Sequence, residues 1–194
     1  MRRVCVFCGS KSGDRPVYAE ATWRLGTAIV QRGLGLVYGA GHVGLMGVLA
    51  DALLQAGGEV IGVIPQALVD RELAHPAVRD TRIVATMHER KAVMADLSDG
   101  FIALPGGYGT ADELFEILTW AQLGIHAKPT GLINTNRFFD PLLAWLDHTV
   151  RESFVKPVHR RLLLVANNAD ALLEQLLLYR PSEPPGDKIL SQDR

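Results

Sequence analysis

Short apolar runs alternate along this chain with longer stretches in which apolar residues recur every three or four positions. Arg3 to Cys8 is the first run, closed by Gly9-Ser10. Pro16 to Gln31 follows, with Val17, Ala21, Leu25, Ala28 and Ile29 at helical spacing. Asp14 suits a cap, Pro16 an early helical position and Gly33 a stop. The same reading predicts strands at Leu34–Tyr38, Val60–Ile64, Thr81–Ala85, Phe101–Leu104, Thr130–Ile133 and Leu162–Val165. It predicts helices at Leu45–Ala56, His88–Leu97, Thr110–Leu123, Pro141–Glu152 and Ala169–Leu178, and a loop with a short helical piece over 66–79. Strands that are apolar throughout, each followed by a helix, imply a parallel sheet covered on both faces. The expected fold is α/β: a doubly wound, Rossmann-like sandwich of seven strands. One domain is expected over 1–180, with a flexible tail over 181–194. Ligands of such folds bind outside the carboxyl ends of the strands. The loops after Cys8, Tyr38, Ala85 and Leu104 should therefore hold the chemistry.

Composition narrows the classes. Lys and Arg total 20 and Asp and Glu 21 among 194 residues, a net charge of −1. That excludes a broad basic footprint, so no nucleic-acid partner is expected. No apolar run is long enough to span a bilayer, so no membrane partner is expected either. Met1-Arg2-Arg3 leads into no signal-peptide core, and two cysteines make no disulfide framework. The expected location is the cytoplasm. Cys5 and Cys8 spell C-x-x-C, but residues three apart in a strand point to opposite faces, so a mutual disulfide is not expected.

Two glycine loops compete for a ligand. Gly39 to Gly44 fits G-x-G-x-x-G, and Glu59 lies 20 residues beyond Gly39, as in a dinucleotide fingerprint. That fingerprint normally follows the first strand, whereas this copy follows the second; a tight turn explains its glycines equally well. Pro105 to Thr110 is the better candidate. It joins a buried strand to a helix, where glycines admit an anion and free N–H groups donate to it. No Lys follows the last glycine, so it is not a Walker loop. Thr110 to Glu113 also reads as a capping box, with Thr110 as N-cap and Glu113 as reciprocal partner. Arg90 and Lys91, near the start of the helix after strand four, oppose its dipole. That conflict hints at an anionic partner. If the loops after strands four and five lie side by side, both residues come near Glu113.

These segments together resemble the LOG (LONELY GUY) family of cytokinin riboside 5′-monophosphate phosphoribohydrolases, often labelled lysine decarboxylases. The family hallmark P-G-G-x-G-T-x-x-E is matched by Pro105 to Glu113, and Met87 to Lys91 is similar to a second motif. Gly44-Leu45-Met46-Gly47 and Thr119 to Gly124 also resemble family signatures. One departure is Ala40, where the family usually has a third glycine. It is harmless at ordinary backbone angles and damaging at left-handed ones.

The resemblance implies hydrolysis of the N-glycosidic bond of a purine nucleoside 5′-monophosphate, with an adenine or N6-modified adenine base. The products are the free base and ribose 5-phosphate. It implies a catalytic pair, Arg90 and Glu113. It implies substrate binding by Glu72, Arg90, Lys91, Gly107, Tyr108, Gly109, Thr110, Ala111, Asp112, Glu113 and Thr119. It implies a homodimer with sites near the subunit interface, and no cofactor or metal. An oxocarbenium-like transition state calls for a nearby carboxylate, the role given to Glu113. The donor fork of Arg90 would fix Glu113 and the phosphate.

Other classes fit less well. There is no H-E-x-x-H metal motif and no G-x-S-x-G nucleophile elbow. A decarboxylase would need a site for a carbanion sink such as pyridoxal phosphate, and none stands out. The alternative kept open is a nucleotide or molybdenum-cofactor carrier on the same fold, binding without turnover.

Overall fold

The computed structural model describes residues 1–70 and 73–181. The tail expected over 181–194 lies outside the described residues from position 182 onward. Seven strands form one parallel sheet: β1 Arg3–Phe7, β2 Gly35–Tyr38, β3 Val60–Pro65, β4 Asp80–Val84, β5 Gly100–Ala103, β6 Thr130–Ile133 and β7 Leu163–Ala166. The helices are α1 Pro16–Gln31, α2 Gly44–Gln55, α3 Gln66–Val69, α4 Met87–Asp96, α5 Tyr108–Gln122, α6 Asp140–Arg151, α7 Pro157–Arg160 and α8 Ala169–Leu178. The spatial order is β4-β3-β2-β1-β5-β6-β7, every pair parallel, so the switch point falls between β1 and β5. This is the doubly wound fold the pattern predicts. No described helix is long and apolar enough to cross a membrane.

Each inner strand is buried on both faces, which is why its apolar residues run on rather than alternate. Val4, Val6 and Cys8 pack with Leu25 and Ile29 of α1, Leu49 and Leu53 of α2, and Leu172 of α8. Cys5 and Phe7 point the other way, against Met94 of α4 and Ile117 of α5. Cys5 and Cys8 are free, buried and in different layers, as the strand period requires. A third cluster joins Leu114 of α5, Leu132, Leu163 and Leu146 of α6.

Local signals explain most boundaries. Pro16 starts α1, and Gly33 closes it at φ +66°, with Gly33 N–H donating to Val30 and Leu34 N–H to Ile29. The cap of α1 is Arg15 rather than Asp14, and no side chain caps it. The start of α4 does come to α5, as a side-by-side arrangement of the loops after strands four and five requires, but not through neighbouring strands. β4 is an edge strand, separated from β5 by β3, β2 and β1. α4 makes up the distance by running back across the sheet and packing on β3. That return path carries the charged start of α4 towards α5.

Ala40 sits at φ +57°, in the left-handed region. Its methyl group rests over Gly62 of β3, where a Cβ would lie 2.7 Å away. The departure from glycine therefore falls at a strained position. Ala40→Gly is expected to stabilise the fold by roughly 1 kcal/mol, or about 2–4 °C in midpoint for a chain of this size. An unchanged or lower melting temperature would show that the backbone at 40 carries no strain.

Candidate active site

α4 opens with a sound cap. Thr86 Oγ1 accepts from the Glu89 N–H at 3.1 Å, and Glu89 Oε2 accepts from the Ala85 N–H at 2.7 Å. One turn on, Arg90 is 8% exposed. A buried guanidinium must have its donors satisfied. Nε donates to the Val63 carbonyl at 3.0 Å and an Nη to the Gly39 carbonyl at 2.9 Å. Glycine at position 39 leaves room for this bond, since a Cβ there would lie 1.8 Å from that nitrogen and force the guanidinium to move. Lys91 leaves α4 on another side and spans to α5, its Nζ 3.0 Å from both Asp112 Oδ2 and Glu116 Oε2. Burial pulls its pKa down, but the two acceptors prevail and raise it.

α5 begins differently from the expected capping box. It starts at Tyr108 with Gly107 as N-cap, and no side chain caps it. Thr110 lies inside the helix, so Glu113 has no capping partner there. Within the described residues, the N–H groups of Gly106 to Thr110 make no backbone hydrogen bond. Gly106 is pinched between Thr110 Oγ1 and Gly9 N, 2.1 and 2.9 Å from where its Cβ would be. Five free donors at a helix start form a site for an anion.

The loop after β1 and this turn line one cavity of about 400 Å³. Gly9 to Gly13 and Pro105 to Tyr108 contribute to its lining, together with Leu45 and the edge-packed rings of Tyr18 and Phe138. Position in the doubly wound fold marked this loop as a ligand loop. Its residues were not singled out, because Gly-Ser-Lys-Ser-Gly reads as an ordinary turn.

Glu113 is half-buried, one turn beyond Gly109. Burial pushes its carboxyl up to about 7; Arg90 and Lys91 oppose the shift, and Asp112 and Glu116 add to it. Arg90 affects Glu113 only through space. Nε and one Nη bond to main-chain carbonyls, the other Nη lies 3.8 Å from Met87 Sδ, and no ion pair joins Arg90 to Glu113 within the described set. This differs from the expected direct fixing of Glu113.

The other expected residues divide. Gly107, Tyr108 and Gly109 are exposed at the helix start, Tyr108 at 97%. Ala111 N–H is used by the Gly107 carbonyl, and Asp112 is engaged by Lys91. Thr119 stands about 14 Å further along α5 than Thr110. Its hydroxyl donates to the Phe115 carbonyl at 2.7 Å, and it lines a groove between α5, α6 and α7 instead. Glu72 lies outside the described residues. The segment after it runs against the 39–44 loop. His42 N–H donates to the Leu73 carbonyl, Ala74 bridges Gly41, and His75 N–H donates to the Ala40 carbonyl.

The fingerprint reading of 39–44 meets an obstacle. A Cβ at Gly41 would collide with Met46, and one at Gly44 with the backbone of Ser10 and Lys11. Glu59 pairs with Arg3 at 2.8 Å, at the amino end of the sheet, away from any ligand face. The glycines serve the protein's own packing.

A profile of the family described as "Possible lysine decarboxylase" matches residues 46–176. A cytokinin riboside 5′-monophosphate phosphoribohydrolase of Arabidopsis thaliana is 49% identical over 191 residues, 98% of this chain and 87% of that one. A probable enzyme of the same name from Oryza sativa is 52% identical over 180 residues, 93% and 79% of the two chains. The chain belongs to the LOG phosphoribohydrolase family. Among solved structures, a molybdenum cofactor binding protein from Rippkaea orientalis superposes with a TM-score of 0.67 at 21% identity, covering 91% of this chain and 96% of that one. A molybdenum cofactor carrier protein from Chlamydomonas reinhardtii gives 0.67 at 22%, covering 92% and 99%. At such identities these two likenesses speak for the fold.

In this LOG chain the neutral form of Glu113 favours the folded state. Its contribution is complete below pH about 4.5 and is lost as pH rises through about 7. Glu113→Gln does not titrate. Its stability relative to the unsubstituted protein should therefore rise by on the order of 2 kcal/mol from pH 4.5 to 8. A flat difference in denaturant melts across that range would place the carboxylate in a solvent-like setting.

Proposed function

We propose that the protein hydrolyses the N-glycosidic bond of a purine nucleoside 5′-monophosphate, whose base is adenine or an N6-modified adenine. The observation that carries this is one helix bearing both chemical needs. Free N–H groups at the start of α5 suit a phosphate, and a carboxyl with a pKa of about 7 stands one turn beyond. A ribose 5-phosphate anchored on Gly107, Gly109 and Thr110 brings its anomeric carbon towards Glu113. As the C1′–N9 bond breaks, its electron pair leaves with the purine and positive charge builds on the ribose. Ionised Glu113 stabilises that charge and takes a proton from the attacking water, whose oxygen bonds to C1′. The purine takes up a proton at a ring nitrogen from solvent, and Glu113 returns its proton to solvent, which regenerates the carboxylate. Arg90 keeps donors beyond those bonded to Val63 and Gly39, and lowers the cost of the Glu113 carboxylate. Lys91 holds α4 to α5, and Glu72 is assigned to positioning the nucleotide. A carrier has no use for a half-buried carboxyl beside an anion site, which favours hydrolysis. The two buried free thiols are in keeping with a cytoplasmic setting.

We also propose a homodimer built on the α5–α6 face. Trp145 is 52% exposed there, and Phe154 and Ile125 are exposed as well. The groove between α5, α6 and α7 is largely apolar and contains Thr119. A second copy seated on this face would bring Thr119 into the interface. Trp145→Glu is expected to shift the protein from dimer to monomer in sedimentation velocity. Equal sedimentation of both proteins would place the interface elsewhere.

The activity is tested by incubating the protein with AMP and, separately, N6-isopentenyladenosine monophosphate, and following free base by chromatography. Base release is expected, with kcat/KM rising with pH to a plateau above about 7. Glu113→Gln should cut kcat by at least about 100-fold while the protein stays folded. Nucleotide binding with no base release from either compound would support the carrier reading.

A further inference from the structure

We propose that Lys11, in the loop after β1, is the cationic jaw of the phosphate site, closing on the substrate's 5′-phosphate from the loop bonded to the start of the α5 turn. This deepens the phosphoribohydrolase reading and names the group that recognises the phosphorylated end. Among the described residues, Lys11 is the single charged residue lining the 400 Å³ cavity, and no carboxylate lines it. Gly106, Gly107 and Tyr108, whose N–H groups are free, line the same cavity. Ser10, Lys11 and Ser12 line it as well and likewise make no backbone N–H bond within the described residues. A dianion is the ligand that such a lining admits.

The loop is held in place before any ligand arrives. Gly9 N–H donates to the Pro105 carbonyl at 3.0 Å, which ties one jaw to the other. The Gly9 carbonyl accepts from Leu45 N–H at 3.0 Å, which ties it to α2. Gly44, at φ +59°, lets the backbone of Ser10 and Lys11 press so close that a Cβ would sit 2.3 Å from Ser10 C and 2.4 Å from Lys11 N. Gly13 packs on the Tyr18 ring in the same way, its Cβ site 2.9 Å from a ring carbon. The main chain of Lys11 is therefore fixed while its ammonium stays exposed and uncommitted to any acid in the described residues. This contrasts with Lys91, whose ammonium is already held by Asp112 and Glu116. Of the two lysines, Lys11 is the one available to a ligand.

The test measures binding apart from turnover. Calorimetry with ribose 5-phosphate, and with adenosine as the ligand lacking phosphate, is run on the full chain and on Lys11→Met and Lys11→Arg. Lys11→Met is expected to weaken ribose 5-phosphate by roughly tenfold and leave adenosine unchanged, with the loss shrinking at high salt. Lys11→Arg should restore most of the affinity. Equal affinity for ribose 5-phosphate in the Met variant, or equal losses for both ligands, would overturn the proposal. So would a full chain that binds no ribose 5-phosphate. Base release from AMP is scored separately. Loss of ribose 5-phosphate affinity in a protein that releases no base upholds the jaw and refutes hydrolysis. Base release with affinity untouched by Lys11→Met does the reverse.

Discussion

A guanidinium sealed between two main-chain carbonyls organises the ligand end of this sheet. Arg90 bonds at once to Gly39, the first residue after β2, and to Val63 within β3. Burying that charge is costly unless its donors are met, so its partners must arrive with little tolerance. Glycine at 39 leaves room for the guanidinium, which would lie 1.8 Å from a Cβ there. The turn that then brings the chain into α2 passes through Ala40 in a left-handed conformation. The start of α4 is set by the same requirement, since Thr86 and Glu89 fix the helix one turn before Arg90. Packing and turn geometry at this end of the sheet trace to one side chain, which also opposes the upward pull that burial exerts on Glu113.

The second organising fact is a set of free donors beside a cavity. Of the longer helices, α4 and α8 have a side-chain cap, whereas α1, α2, α5 and α6 have none. What sets α5 apart is its glycine-rich start, where Gly106, Gly107 and Tyr108 keep free N–H groups and line the cavity. Donors left free in such a place gain a partner when a ligand binds. Glu113 repeats the theme, since a carboxyl shifted to about 7 is unfavourable as an anion and gains value only beside a developing positive charge.

Periodicity and punctuation carried the fold because the inner strands are short and apolar on both faces, and glycine or proline marks the ends of several elements. Pro16, Gly33 and Pro65 mark ends that the structure keeps. The glycine loop and the Arg90-Lys91 pair were visible because their residue types are unusual at a helix start, and Glu113 because it follows that loop within the P-G-G-x-G-T-x-x-E run. What was hidden depended on distances in space. Nothing local tells that Thr110 lies inside α5, that Lys91 reaches Asp112 and Glu116, or that Arg90 turns to carbonyls rather than to Glu113. Strand order was equally silent, and α4 rather than strand adjacency brings the charges to α5. The loop around Lys11 escaped notice because its meaning comes from the cavity it lines.

Cys5 and Cys8 lie three residues apart on and just beyond β1, yet each is sealed beneath a different helical layer. A thiol reagent reaches Cys8 only when the α1–α2–α8 side parts, and Cys5 only when the α4–α5 side does. The central strand thus carries a native gauge for each half of the sandwich. The order in which the two sulfurs become alkylated reports which layer breathes first, without a single engineered label.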